Sequence, residues 1–336
     1  MTEKNLINRT VKPGADYVRR NSGILIGLLV MVIIVSLISD NFLKTSNILN
    51  VFRQISTNAF LAFGMTFVIL TGGIDLSVGS VLAFSGVFTA YALANWQLPL
   101  WVVIGVALFL SVAVGIFNGA VSAITGIAPF VVTLSTQTIF QGVAKLISNG
   151  MPIRVTEQTL VQIGTGYVGP IALPIIYTIA IMFICFLLLN KTKFGRNVYA
   201  IGGNRMAAKF AGIKMIRTEV IVYAISGFLS GAAGIVLAGR LSAGSPNTGD
   251  GYELDAIAAV VLGGASFTGG VGTIGGTLLG VIVIGVLNNG LNMLNVSSFW
   301  QYVAKGIVIF LAVLADVIRK KNQEKKKIKI QLEKKG

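Results

Sequence analysis

Histidine is absent from the 336-residue chain, and there is one cysteine, Cys185. Without imidazole there is no Ser-His-Asp triad, no histidine acid–base chemistry and no His-ligated metal site. A lone cysteine forms no internal disulfide and brings no thiol partner to a metal. Cys185 sits inside an apolar run, where it reads as a small lipid- or core-facing side chain. Charge is scarce too. Asp, Glu, Lys and Arg make up 12% of the residues, roughly half the share of a soluble domain. No G-x-x-x-x-G-K-[ST] occurs anywhere, so the chain is not a P-loop ATPase by itself. No catalytic constellation and no metal-ligand set stands out, and no cofactor is expected within the chain.

What is abundant is apolar. Hydrophobic residues make up 54%, and the mean hydropathy is +0.81. Apolar runs recur from residue 23 to 317, most of them near the ~20 residues that a spanning helix needs. The sequence therefore predicts an all-α polytopic membrane protein. Ten spans are expected, near 23–39, 51–70, 74–94, 98–123, 128–148, 170–190, 217–239, 254–267, 270–291 and 299–317. The eighth is short and ends in Gly263-Gly264, so a broken or re-entrant segment is an open reading there. Of the 40 glycines, Gly23/Gly27, Gly115/Gly119, Gly227/Gly231 and Gly276/Gly280 have the spacing of closely packed spanning helices.

The net charge of +15 has a topological explanation. Basic residues cluster in the N-terminal tail (1–22), in the segment 191–217 and in the C-terminal tail (318–336). Together these hold 21 of the 27 Lys and Arg. Ten crossings put all three on one side, which the charge bias identifies as cytoplasmic. Anionic membrane lipid is then the partner of the basic tails, and nucleic acid is not expected. Tyr91, Trp96, Trp101, Trp300 and Tyr302 fall near the outer ends. Residues 23–317 form one transmembrane domain between two cytoplasmic tails. Spans two to five and seven to ten run in opposite directions, so an inverted repeat is expected, marked by Gly-rich breaks at 72–79 and 263–276.

Three stretches carry chemistry. The first is Thr71-Gly72-Gly73-Ile74-Asp75-Leu76-Ser77-Val78-Gly79-Ser80. A carboxylate at membrane depth costs a few kcal/mol. Asp75 either caps the helix that follows or lines a polar pathway at a helix break. The second is the segment Gly195–Ile213. Met206 to Ala211 is expected to be helical, with Asn204 as N-cap and Gly212 as stop, and either docks on a partner or remains an interfacial loop. The third runs from Tyr252 to Asn295. Glu253 and Asp255 lie in a first helical turn, where acids favour the helix dipole. Gly270-Val271-Gly272-Thr273-Ile274-Gly275 fits G-x-G-x-x-G but follows no strand, so no dinucleotide site is expected. Asn288, Asn289 and Asn292 either line a polar path or bond between helices.

Three of these motifs, in order, carry a family resemblance over about 40–317. They are residues 71–80, the GGN-x-x-AA-x-x-x-GI pattern at 202–213, and Gly251-Tyr252-Glu253-Leu254-Asp255-Ala256-Ile257-Ala258-Ala259. The chain resembles the ribose and related monosaccharide permeases of ABC importers. The stretch Asn288-Asn289-Gly290-Leu291-Asn292 is closer to ribose than to galactose permeases.

The resemblance implies a bacterial cytoplasmic-membrane subunit working by alternating access. A separate ATPase, often two fused domains, binds ATP and Mg. An extracytoplasmic sugar-binding protein delivers substrate. A second permease copy or a related chain completes the pathway. Gly202, Gly203, Asn204, Ala207, Ala208 and Gly212 match the coupling loop that meets the ATPase, although Met206 stands where the usual first acid would be. The translocation candidates are Thr71, Gly73, Asp75, Ser77, Thr133, Ser135, Asn288 and Asn292. Lys44, Arg154, Arg240, Glu253 and Asp255 are the candidates for docking the binding protein.

Three other readings remain. A gradient-driven secondary transporter needs a titratable or Na⁺-binding group in its path, but the carboxylates here lie near span ends. A membrane-embedded enzyme needs a reactive cluster that the sequence lacks. A permease for branched-chain amino acids is the nearest competitor within the importer class.

Overall fold

The computed structural model describes residues 13–318 except 298, 309, 312, 315 and 316, with side chains from Gly23 onward. The chain opens with α1 (Pro13–Ile38), α2 (Thr45–Leu70), α3 (Val78–Asn95), α4 (Leu100–Thr125) and α5 (Pro129–Ser148). A small outer layer follows: β1 (Ile153–Arg154), α6 (Gln158–Thr165), β2 (Tyr167–Val168) and β3 (Ile171–Ala172). Then come α7 (Leu173–Lys191), α8 (Lys193–Gly203), α9 (Arg205–Phe210) and α10 (Met215–Leu241). The last elements are β4 (Ala243–Gly244), α11 (Tyr252–Leu262) and α12 (Ile274–Met293), with 299–308 also helical. Among the described residues, α3, α4, α5, α7, α10 and α12 are long and apolar enough to cross a membrane. The fold is thus all-α and polytopic.

Two boundaries differ from expectation. The first helix begins at Pro13, well inside the expected tail, with proline at the first helical position, where its missing N–H costs nothing. The eighth expected span, 254–267, ends at Leu262 after 11 residues. That length is about 16 Å, half of a ~30 Å hydrocarbon core. Gly263-Gly264 stops it, as the sequence signals. The basic tails at 1–12 and 319–336 lie outside the described residues.

α2 sits at the centre, buried on every side from Ala59 to Leu70. α10 crosses both α2 and α4. The α4–α10 crossing uses the expected glycines: a Cβ on Gly115 would strike the Tyr223 carbonyl, and one on Gly227 the Ser111 carbonyl. Gly276 and Gly280 likewise lie against the carbonyls of Gly263, just past α11, and Ala259 of α11. Gly23 and Gly27 differ, with nothing within 4 Å of a Cβ at either. Gly227→Leu is therefore expected to cost roughly 3 kcal/mol or more by overpacking, and Gly23→Leu to stay within about 0.5 kcal/mol. Thermal melting in detergent checks the contrast.

Two chain reversals meet below this core. After Leu70, Gly72 takes φ +83°, and Gly73 N–H donates to the Val68 carbonyl at 3.1 Å. After Leu262, the chain turns through Gly264, Gly269 and Gly270, all at positive φ. Gly270 N–H donates to the Leu70 carbonyl at 2.9 Å, and the hydroxyls of Thr66 and Thr277 lie 2.7 Å apart. The polar stretch 242–251 is not a surface loop. β4 pairs with β1, and the chain then runs down beside α3, with Gly244 against Gly86 and Gly249 against Gly79. α11 therefore starts deep beside α3.

Candidate functional site

The 71–80 stretch folds back beside α2 and delivers Asp75 into the bundle, 1% exposed. Ser226 Oγ donates to Asp75 Oδ2 at 2.7 Å, and the Ser226 Cα also packs where a Cβ on Gly64 would lie. Ser226 thus links Asp75 to the contact of α10 with α2 at Gly64. Its Oδ1 accepts from the Ser77 backbone N–H at 3.0 Å and the Ser77 hydroxyl at 2.6 Å. Asp75 therefore bonds Ser77, the N-cap residue of α3, without itself capping a first-turn N–H, and ties Ser77 to α10. The network continues outward: Asn118 Nδ2 donates to Ser77 Oγ at 3.0 Å, and Thr136 Oγ1 donates to Asn118 Oδ1 at 2.6 Å. Thr133 Oγ1 accepts from the Leu76 N–H at 3.1 Å and lies 3.2 Å from the Ile74 carbonyl. Through these bonds α4, α5, α10 and the start of α3 are joined around Asp75, whose carboxylate itself accepts from Ser77 and Ser226.

Beside this network opens a cavity of about 250 Å³, lined by Thr71, Gly73, Ser122, Arg205, Glu219 and Tyr223 among others. The Tyr223 hydroxyl is buried, has no hydrogen-bond partner among the described residues, and lies where a Cβ on Gly73 would be. Sequence reasoning missed Asn118, Thr136, Glu219, Tyr223 and Ser226. The signal available was a polar side chain inside a long apolar run, which in a membrane protein has to find a partner.

The basic segment 191–217, expected as a loop with one short helix, holds two. α8 is capped by Thr192 Oγ1, which accepts from the Gly195 N–H at 3.1 Å. α9 is capped as expected: Asn204 Oδ1 accepts from the Ala207 N–H at 2.9 Å, and Gly212 ends the turn at φ +76°. Gly195 and Gly202 hide α8 from a sequence reading, because glycine lowers helix propensity. Both allow close approach instead, Gly195 to the Leu189 carbonyl and Gly202 to the Leu70 carbonyl and Gly270 nitrogen. On α9, Ala208 is buried, whereas Met206 and Phe210 are 60% and 83% exposed. Ala207 and Gly203 are exposed as well.

A chain-wide match decides the family. Residues 47–313 fit the family described as branched-chain amino acid transport system / permease component. The chain belongs to that permease family. It is 48% identical over 309 residues to the ribose import permease protein RbsC of Bacillus subtilis, covering 91% of this chain and 95% of that one. It is 44% identical over 295 residues to the RbsC of Haemophilus influenzae, covering 87% and 91%. It is 39% identical over 299 residues to the L-arabinose transport system permease protein AraH of Escherichia coli, covering 89% and 91%. No solved structure matches it.

The remaining candidates fall elsewhere in the permease. Asn288 Nδ2 donates to Asp255 Oδ2 at 3.3 Å, and Lys305 Nζ donates to the same oxygen at 2.9 Å. Asn289 and Asn47 exchange two amide hydrogen bonds of 3.0 Å. These asparagines bond between helices, one of the two roles left open. Ser135 and Asn292 are exposed and apart from Asp75; Asn292 accepts from Gln301 at 2.8 Å. Ser135 Oγ donates to the Val131 carbonyl at 2.9 Å.

Three docking candidates, Glu253, Asp255 and Arg240, are not fully exposed in the single chain. Glu253 and Asp255 are 8% and 2% exposed and face the inside of the bundle. Glu253 accepts from Gln137 at 3.2 Å and lies against Gly79. The cause is the descent of 242–251 beside α3, which carries the first turn of α11 into the bundle. Arg240 is half-buried and donates to the Arg53 carbonyl at 3.1 Å. Lys44 and Arg154 are exposed.

Proposed function

We propose that this permease is the membrane-spanning subunit of an ATP-driven importer for a monosaccharide, with ribose the foremost substrate. The observation that carries this reading is identity along nearly the whole chain to proteins named as ribose and arabinose permeases. The family description names branched-chain amino acids, but the relatives above are named for pentoses, which favours sugar within the importer class. A gradient-driven carrier remains the second class, and dependence on a separate ATPase separates the two.

In this reading the permease makes and breaks no covalent bond. ATP and Mg sit on a partner ATPase, in tandem domains. An extracytoplasmic binding protein delivers sugar, meeting exposed Lys44 and Arg154. Ten crossings, some as half-helices in an inverted repeat, place both termini in the cytoplasm of a bacterial inner membrane. Two copies pair, and the exposed face of α5 carrying Ser135 belongs to the shared pathway. Residues 202–212 meet the ATPase through Met206 and Phe210. ATP binding favours one of two access states, and partner affinities that differ between those states drive the cycle. Thr71, Gly73, Asp75, Ser77 and Thr133 form the inner part of the path, where a hydroxyl-rich substrate finds hydrogen-bond partners.

The test is uptake of labelled ribose into proteoliposomes holding the permease, its ATPase and its binding protein. Uptake that requires ATP and is lost with Ala208→Asp supports importer and coupling segment together. Uptake without any ATPase moves the chain to the gradient-driven class. ATP hydrolysis stimulated by another sugar, with no ribose uptake, corrects the substrate alone.

A further inference from the structure

The expected coupling residues Gly202, Gly203, Asn204, Ala207, Ala208 and Gly212 and the expected pathway residues in 71–77 are far apart in sequence, and the structure joins the two segments through a pair, Arg205 and Glu219, that neither set names. Arg205, the first residue of α9, makes a two-pronged ion pair with Glu219 of α10, its Nη2 donating to Oε2 at 3.1 Å. Glu219 is 6% exposed. The two-pronged guanidinium–carboxylate fit fixes direction as well as distance. On α10, Glu219, Tyr223 and Ser226 stand at i, i+4 and i+7, which is one face of a helix. Tyr223 packs over Gly73, and Ser226 holds the Asp75 carboxylate at 2.7 Å. One helix face therefore carries the coupling helix at one end and the Asp75 break at the other. The cavity of about 250 Å³ between Arg205, Glu219, Tyr223 and Gly73 leaves room for the break to shift when α10 turns.

We infer that Arg205 and Glu219 are positioning residues that transmit movement of the coupling helix, through one face of α10, to the Asp75 break. The inference rests on the proposed function for the identity of the driver, an ATPase seated on α9. It needs no particular sugar. Arg205→Ala removes the link. Arg205→Lys keeps the charge but loses the fork, so it carries the test if the alanine variant does not assemble. The exchange R205E with E219R restores the pair with reversed direction.

The readout is hydrogen exchange of residues 71–77 in the permease–ATPase complex, with and without ATP plus vanadate. In the wild type, ATP is expected to change the exchange of this segment. In Arg205→Ala or Arg205→Lys complexes that retain the ATPase, the ATP-dependent change falls about tenfold, an ordinary size for coupling between sites. The charge exchange recovers a substantial part of it. Four results would overturn the relay: a wild-type segment that ignores ATP, single variants that respond as the wild type does, a charge exchange no better than either single change, or loss of the ATPase from both single variants, which makes Arg205 a docking residue. A wild-type complex that responds to ATP but carries no sugar overturns the substrate reading and leaves the relay standing.

Discussion

Replacing Asp75 with alanine is expected to abolish uptake and to lower the melting temperature of the purified permease by about 5 °C or more. Three donors aim at this carboxylate: the Ser77 N–H, the Ser77 hydroxyl and the Ser226 hydroxyl. Each buried donor left without an acceptor costs about 1–3 kcal/mol. Partial relaxation of two hydroxyls that can rotate leaves a net loss of roughly 3 kcal/mol. The damage also spreads, because Ser77 holds Asn118 and Asn118 holds Thr136. Asp75→Asn separates structure from transport. The amide keeps the shape and one acceptor, and the Ser226 hydroxyl can turn to accept from the new NH₂, so the expected loss is nearer 1 kcal/mol. A folded Asp75→Asn protein with full uptake assigns Asp75 to architecture alone. A folded protein without uptake makes the carboxylate itself part of the path. An alanine variant with wild-type melting and wild-type uptake would contradict the network.

Asp75 also marks what could be known in advance. A charged residue in an apolar chain stands out, and so does the Gly-Gly break before it, so the site's centre was legible. The α9 cap was legible for the same reason: Asn204 and Gly212 are local signals whose consequences fall within one turn. Helix packing at Gly115 and Gly227 followed from spacing. What stayed hidden was long-range. Serines and tyrosines in apolar runs do not name their partners, so Ser226 and Tyr223 gave no sign of facing the break. The descent of 242–251 beside α3 depends on Gly79, Gly86, Gly244 and Gly249 meeting across two segments, and no local pattern encodes that. Glu253 and Asp255 consequently looked like surface acids. α8 was lost because Gly195 and Gly202 count against helix in isolation, although tertiary contact is what requires them.

Gly202 gives the sharpest test of that contact. Its Cα faces the Leu70 carbonyl and the Gly270 nitrogen, the two atoms joined by the hydrogen bond that ties the α2–α3 break to the α11–α12 break. A Cβ at 202 collides with both, and both are backbone, so no rotamer change relieves the clash. Gly202→Ala is expected to push α8 off this junction, at a cost of roughly 1–3 kcal/mol. Gly203 is the natural control. It is the next residue, also ends α8, and a Cβ there meets nothing within 4 Å. Gly203→Ala should be neutral or slightly stabilising, since alanine loses less backbone entropy than glycine on entering a helix. The two single-methyl changes therefore diverge in melting temperature, and in sugar carried per ATP if α8 transmits force. Matching behaviour would mean that α8 does not bear on the breaks. A Gly202→Ala protein that melts early yet keeps the wild-type ratio of sugar to ATP would confine the junction to stability. Coupling would then rest on the Arg205–Glu219 pair alone.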